Sequence, residues 1–130
     1  MLMIGKTILI LGGGVCGIAT ANALAKQLKP EHRIIVIDKN ARHEFAPSFL
    51  WVMIGARKPA QVATDLSRLL HPRVELVNAE VKQIDLSAQN VNAGERTIHF
   101  DYLVFALGAS LAPENLPGLD NAHTSYTLAG

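Results

Sequence analysis

The sequence has few of the features that mark an extracellular, membrane-spanning or nucleic-acid-binding protein. Its one cysteine, Cys16, excludes an intrachain disulfide and is typical of a reducing compartment, so we expect a cytoplasmic location. Twelve Lys and Arg residues are scattered and nearly balanced by eleven Asp and Glu residues, which argues against a nucleic-acid surface. Gly12 interrupts the apolar start before it reaches the length of a signal peptide or transmembrane helix. The five histidines lack HxxH or HxxxH spacing, and we expect no metal site.

Three periodic segments near the start of the chain predict a βαβ unit. Residues 7–11 form a continuous apolar run, which is typical of a strand buried on both faces of a parallel sheet. Small and apolar residues recur at helical spacing over 15–28, before Pro30. A second apolar run follows over 34–37. Because strand, helix and strand succeed one another so closely, we expect an α/β fold with a right-handed βαβ unit in a central parallel sheet.

The rest of the chain predicts a mixture of short elements. They are a loop over 40–47, a short buried helix over 48–55, a helix from Pro59 to residue 70, strands within 74–86, an antiparallel hairpin turning at 93–95, and an apolar strand over 102–107. Trp51, in the short helix, is expected in the core or in an interface. Two prolines and a glycine follow Leu111. We therefore predict a binding domain over 1–110 and a linker over 111–130 toward a second domain of a longer protein.

The glycines after the first strand have the spacing of a diphosphate-binding loop. Gly12 permits a tight turn, Gly14 lets the backbone approach a pyrophosphate, and Gly17 lets the helix pack closely on the sheet. The free N–H groups and the dipole of the helix N-terminus favour a negative ligand there. Val15 and Cys16 belong to the same loop. We expect the small Cys16 side chain to face the ligand or the sheet and to serve packing rather than redox chemistry.

An acidic residue completes this pattern, which predicts an α/β Rossmann-like dinucleotide-binding fold. Asp38 ends the second strand about twenty residues after Gly17, where a carboxylate accepts hydrogen bonds from the hydroxyls of an adenosine ribose. We assign the adjoining Lys39 to the same site. Since a carboxylate at a strand end packs against little, Asp38 is expected to contribute little to the stability of the unliganded protein.

The chain from residue 6 to about 117 resembles the FAD domain of the two-dinucleotide-binding-domain flavoproteins. These proteins share the glycine loop, the acid after the second strand, a β-hairpin and a strand ending in Ala-Thr-Gly, for which this sequence has YLVFALG over 102–108. Ala106 and Gly108 match that motif, whereas Leu107 replaces its threonine. The resemblance implies FAD as the cofactor, with Ala106 and Gly108 beside it.

Within this group the stretch 38–59 is similar to sulfide:quinone oxidoreductases and to the flavin subunit of flavocytochrome c sulfide dehydrogenase. It contains Pro-Ser, Leu-Trp-Val and Gly-x-Arg in the family's order. The resemblance places Pro47 and Ser48 near the flavin ring and the backbone of Val81 near the adenine.

This resemblance implies an enzyme that passes electrons from sulfide through FAD to a quinone at the membrane surface. Its redox cysteines would lie beyond residue 130, so no catalytic residue is assigned in this chain, which alone is expected to be inactive. A type II NADH:quinone dehydrogenase and a dinucleotide-binding module without turnover are the alternatives. Self-association into a homo-oligomer is left open.

Overall fold

The computed structural model describes residues 5–115, 117–119 and 122–128. They divide into two compact units. The first joins the chain up to Ala41 with Asp65–Gly108, and the second joins Arg42–Thr64 with the chain from Ala109 onward. The predicted division into a domain and a linker at residue 110 stays a prediction.

A parallel four-stranded sheet forms the centre of the first unit. Its order is β5 (Val74–Asn78), β2 (Arg33–Asp38), β1 (Thr7–Leu11) and β9 (Tyr102–Phe105). The apolar runs of β1 and β2 lie in the middle of the sheet, where both faces are covered, and their side chains are almost wholly buried. The predicted α/β Rossmann-like fold and its βαβ unit are confirmed.

Helix α1 (Val15–Gln27) covers one face of this sheet, as predicted. Its small buried residues Gly17, Ala21 and Ala25 let the helix axis approach the strands closely. The carboxyl end is capped by the Arg73 guanidinium, which donates hydrogen bonds to the carbonyls of Ala25, Leu28 and Lys29. A cation at this end also complements the helix dipole.

The opposite face is covered by an antiparallel sheet of β6 (Val81–Asp85), β7 (Asn90–Ala93) and β8 (Arg96–His99). The predicted hairpin is confirmed: Ala93 pairs with Arg96, and Gly94 takes φ +59° in the turn. The core beneath it contains Leu9, Leu11, Ile35 and Ile37 of the parallel sheet together with Val91, Ala93, Ile98 and Phe100.

The helix predicted over 59–70 is wrong. This segment contains a 3-10 turn over Pro59–Gln61, strand β4 (Ala63–Asp65) and a second 3-10 turn over Leu66–Arg68. Part of the predicted loop before it forms strand β3 (Arg42–Glu44), which pairs with β4. Long-range strand pairing therefore overrides the local helical spacing of the apolar residues.

The short helix is present as α2 (Phe49–Met53), but the prediction that it is buried is wrong. Phe49 is buried, whereas Leu50, Trp51, Met53 and Ile54 are each at least half exposed. A helix that is apolar all round cannot turn every side chain to one neighbour, and in this unit only one side of α2 is covered. In the described part of the chain, no helix combines the length and apolar character needed to cross a membrane.

An ion-pair group joins the two sheets of the first unit. The Glu75 carboxylate on β5 accepts hydrogen bonds from Arg33 of β2 at 2.7 Å and from Arg96 of β8 at 3.1 Å. The Arg33 hydrogen bond, reinforced by Arg96, lowers the pKa of Glu75 below its ordinary value. Stability from this group is therefore complete above the pKa of the unfolded carboxyl and is lost as pH falls through the lower, folded pKa.

We expect Glu75→Gln to lower the free energy of unfolding at pH 7 by at most about 1 kcal/mol, because more than a third of the side chain is exposed and solvent screens the pairs. The difference from the parent should shrink as the pH falls below about 4. Urea unfolding at pH 7 and at pH 3 measures it, with Glu95→Gln in the hairpin turn as the control. A deficit of equal size at both pH values would contradict the ion-pair explanation.

Candidate dinucleotide-binding site

The candidate site lies at the carboxyl ends of the parallel strands, at the point where the strand order reverses. From β1 the chain moves outward to β2 and β5, and β9 then returns to the other side of β1. In open α/β sheets such a switch point leaves a crevice beyond the strand ends. Gly12 follows β1, Asp38 ends β2 and Ala106 follows β9, so the topology brings these three predicted residues to one edge.

Two of the three fingerprint glycines are required by the protein itself. Gly12 has φ +105° and donates its N–H to the Ile37 carbonyl at 2.8 Å. A Cβ at Gly12 would collide with the Ala106 carbonyl, and a Cβ at Gly17 would collide with the Gly12 carbonyl. These glycines allow strand β1, helix α1 and the chain after β9 to meet.

Gly14 differs from both. Its φ of −75° is open to any residue, and an added Cβ would meet no protein atom within 4 Å. It is the N-cap of α1, with no side-chain cap and no acidic residue in the first turn. The N–H groups of this turn lack intrahelical partners and carry the positive end of the helix dipole. The geometry therefore fits a backbone surface kept bare for an anionic ligand such as a diphosphate.

Val15 and Cys16 form the exposed side of the same turn. The expectation that the Cys16 side chain packs on the protein is wrong, because its thiol is exposed. Gly17, Ala21 and Ala25 occupy the sheet-facing side of α1, so Cys16 lies on a different face. Contact of Val15 and Cys16 with a cofactor stays a prediction.

Asp38 is held in place more firmly than its position at a strand end indicates. Its carboxylate accepts hydrogen bonds from the N–H groups of Gly13 and Asn40, each at 2.7 Å. Its carbonyl accepts from the N–H of Ala79 at 3.0 Å and from the side chain of Asn78 at 2.9 Å. The expectation that Asp38 contributes little to stability overlooked these bonds. A carboxylate has about four acceptor positions, so two remain for ribose hydroxyls.

Val81 opens strand β6, two residues after Ala79, and the bond from Ala79 to Asp38 brings this corner beside the predicted ribose position. Lys39 is exposed next to Asp38. The N–H of Ala106 donates to the Leu11 carbonyl at 2.8 Å and so extends the pairing of β9 with β1. The predicted roles of Lys39, Val81 and Ala106 toward a cofactor remain predictions.

Gly108 has φ +72°, and an added Cβ there would meet no atom within 4 Å. Pro47 and Ser48 belong to the second unit, in a 3-10 turn over Ala46–Ser48. Ser48 is buried, and its hydroxyl accepts a hydrogen bond from Arg57 at 2.6 Å. The assignment of Gly108, Pro47 and Ser48 to the flavin site likewise stays a prediction.

Gly13 and Leu66 are the residues of this site that the sequence did not indicate. The N–H of Gly13 is bonded to Asp38, and the Leu66 side chain fills the space beside the Gly13 Cα. The run of three glycines is the only local signal for Gly13, since the fingerprint itself leaves that position free.

The sequence pattern of the pyridine nucleotide-disulphide oxidoreductase family matches residues 6–129. The chain belongs to this family. Sulfide-quinone reductase of Aquifex aeolicus is 35% identical over 108 residues, which cover 82% of this chain and 25% of the relative. Type II NADH:quinone oxidoreductase of Staphylococcus aureus is 33% identical over 105 residues, which cover 79% of this chain and 26% of the relative.

The fold of this family member agrees with a solved relative. The structure of the sulfide:quinone oxidoreductase from Aquifex aeolicus matches with a TM-score of 0.74 and 31% identity over 83% of this chain and 25% of that chain. This chain thus spans about a quarter of the length of the relatives it matches.

Proposed function

We propose that this chain is the N-terminal FAD-binding part of a flavoprotein that oxidises sulfide and reduces a quinone. The observation that carries the binding proposal is the bare backbone at Gly14. A side chain there would meet no protein atom within 4 Å, so protein packing does not require a glycine at this position. Asp38 lies within reach of the same loop, as its bond to Gly13 demonstrates. An anion-binding turn next to a ribose-binding carboxylate is the arrangement that an adenine dinucleotide requires.

In this proposal the first turn of α1, from Gly14 to Gly17, holds the diphosphate of FAD, and Asp38 accepts hydrogen bonds from the adenosine ribose. Val81 borders the adenine, while Ala106 and Gly108 line the cofactor near Gly12. When bound, FAD supplies the two-electron redox chemistry. This chain contributes binding and orientation, and no residue in it is assigned a catalytic role.

The choice of sulfide and quinone is supported by the relative at 35% identity, which is a sulfide-quinone reductase. In such a reaction sulfide loses two electrons to become zero-valent sulfur, and the quinone takes up two electrons and two protons to become a quinol. Because quinones partition into lipid, we propose that the complete protein associates peripherally with a membrane. The second candidate function is NADH:quinone oxidation, favoured by the type II relative at 33% identity.

The electron donor is tested by assaying the complete polypeptide with sulfide and with NADH against the same soluble quinone. We expect a yellow protein that reduces the quinone with sulfide, whereas the 130-residue chain alone should give no turnover. Turnover with NADH and none with sulfide would contradict the sulfide proposal and favour the type II enzyme. A colourless protein that is inactive with both donors would indicate a binding module without turnover.

A further inference from the structure

Gly13, the middle residue of the glycine run, is held from two sides. Its N–H donates to the Asp38 carboxylate at 2.7 Å, so the loop is tied to the end of β2. A Cβ added at Gly13 would collide with one terminal methyl group of Leu66 and would lie 3.1 Å from the other. The Leu66 side chain therefore packs against the loop in the space that the absent side chain of Gly13 leaves.

Leu66 is itself fixed by the same corner of the fold. It is 1% exposed, and its N–H donates to the Ala41 carbonyl at 2.9 Å. Ala41 follows Asp38 by three residues, and the Asn40 N–H donates to the Asp38 carboxylate at 2.7 Å. The Asp38 carboxylate that binds Gly13 is therefore bonded to the turn after β2, and the backbone of Leu66 is bonded to the same turn.

We propose that Leu66 is a positioning residue for the glycine loop. By packing against Gly13 it fixes the position of the loop, and thereby the position of the N–H groups that the first turn of α1 presents to a diphosphate. The inference rests on the proposed dinucleotide binding and adds a residue that does not touch the ligand. Hydrogen bonds weaken steeply when distance and angle depart from their narrow optimum. A small displacement of the loop is thus sufficient to weaken phosphate binding, while the adenosine part, held at Asp38 and β6, is less affected.

The test removes side-chain volume at Leu66 and adds it at Gly13, first separately and then together. Leu66→Ala removes the support, and we expect it to weaken ADP binding by about tenfold, the loss associated with one charge-assisted hydrogen bond. Adenosine binding should change by less than about twofold on the same argument. Gly13 does not have a positive φ, so its backbone conformation is open to alanine. In Gly13→Ala the added methyl group should collide with the intact Leu66 side chain and displace the loop. ADP binding should again weaken more than adenosine binding. In the double variant the methyl group added at Gly13 occupies space that Leu66 vacates, so ADP affinity should recover most of the loss.

Affinities are measured by calorimetry with ADP and with adenosine on the chain as it stands, well below each variant's melting temperature. Ile34→Ala is the matched control, because Ile34 is equally buried but lies at the amino end of β2, away from the loop. It should lower the melting temperature without changing the ratio of ADP to adenosine affinity. If Leu66→Ala fails to fold, Leu66→Val should show a smaller change in the same ratio.

Equal weakening of ADP and adenosine binding by Leu66→Ala, or no recovery in the double variant, would overturn the positioning role. That result would leave the proposed function intact, since the parent chain would still bind ADP. A parent chain that is folded and binds neither ADP nor FAD would overturn the proposed function, and with it the inference.

Discussion

Gly14→Val is expected to lower the affinity for FAD or ADP by well over tenfold, equivalent to about 1.4 kcal/mol or more. The isopropyl group would stand where the backbone now faces open space, and it would keep a diphosphate away from the first turn of α1. The backbone at Gly14, with φ −75° and ψ −172°, accommodates valine without strain. Exchange of the N-cap residue should cost at most about 1 kcal/mol of stability. Titration with ADP and a thermal melt of the unliganded chain measure the two effects.

Gly17→Ala is the matched contrast in the same loop. Its methyl group would collide with the Gly12 carbonyl, which is backbone and cannot move aside cheaply. We expect this variant to lose about 1–3 kcal/mol of stability or to misfold, and therefore to fail in a different way from Gly14→Val. Stoichiometric FAD in a purified Gly14→Val protein of full length would contradict the assignment of Gly14 to the diphosphate.

Asp38→Ala is expected to weaken both the fold and ligand binding. It removes the acceptor of the Gly13 and Asn40 N–H groups, and hydrogen bonds to a charged acceptor contribute about 1.5–3 kcal/mol each at most. It also removes the carboxylate proposed to hold the ribose, so ADP affinity should fall by about tenfold or more. Thermal melts of the unliganded variant and ADP titrations measure these losses separately.

The ribose assignment has its own control in the ligand. The parent protein should bind 2′-deoxy-ADP more weakly than ADP, whereas Asp38→Ala should no longer distinguish the two. Asp38→Asn retains an oxygen that can accept from Gly13, so it should recover part of the stability without the parent's preference for the intact ribose. If Asp38→Ala still prefers ADP over 2′-deoxy-ADP as strongly as the parent does, Asp38 serves the fold alone.

The sequence predicts those parts of the molecule whose signals are local. Strands β1 and β2 are continuous apolar runs because the sheet is covered on both faces, and α1 shows its small residues at helical spacing. The hairpin turn at Gly94 follows from the need for a positive φ. Each of these features is determined within one element, so the chain reveals it without tertiary information.

The features that the sequence did not reveal depend on contacts between distant segments. The spacing of Val62 and Leu66 imitates a helix, but strand pairing with β3 decides the conformation before Leu66, whose side chain lies against Gly13. The structural bonds of Asp38 depend on the position of Gly13, 25 residues earlier. No periodicity within a single segment encodes such pairs, because each partner is chosen by the assembled fold.

The contact between Gly12 and the chain after β9 also determines when the glycine loop can reach its final position during synthesis. A side chain at Gly12 would collide with the Ala106 carbonyl, and the Ala106 N–H donates to the Leu11 carbonyl. The glycine loop precedes β9 in the chain, so the loop leaves the ribosome before the strand beside it has been made. A nascent chain that ends before Ala106 therefore has the glycine fingerprint without its neighbouring strand, and the proposed dinucleotide site is complete only when β9 has joined β1.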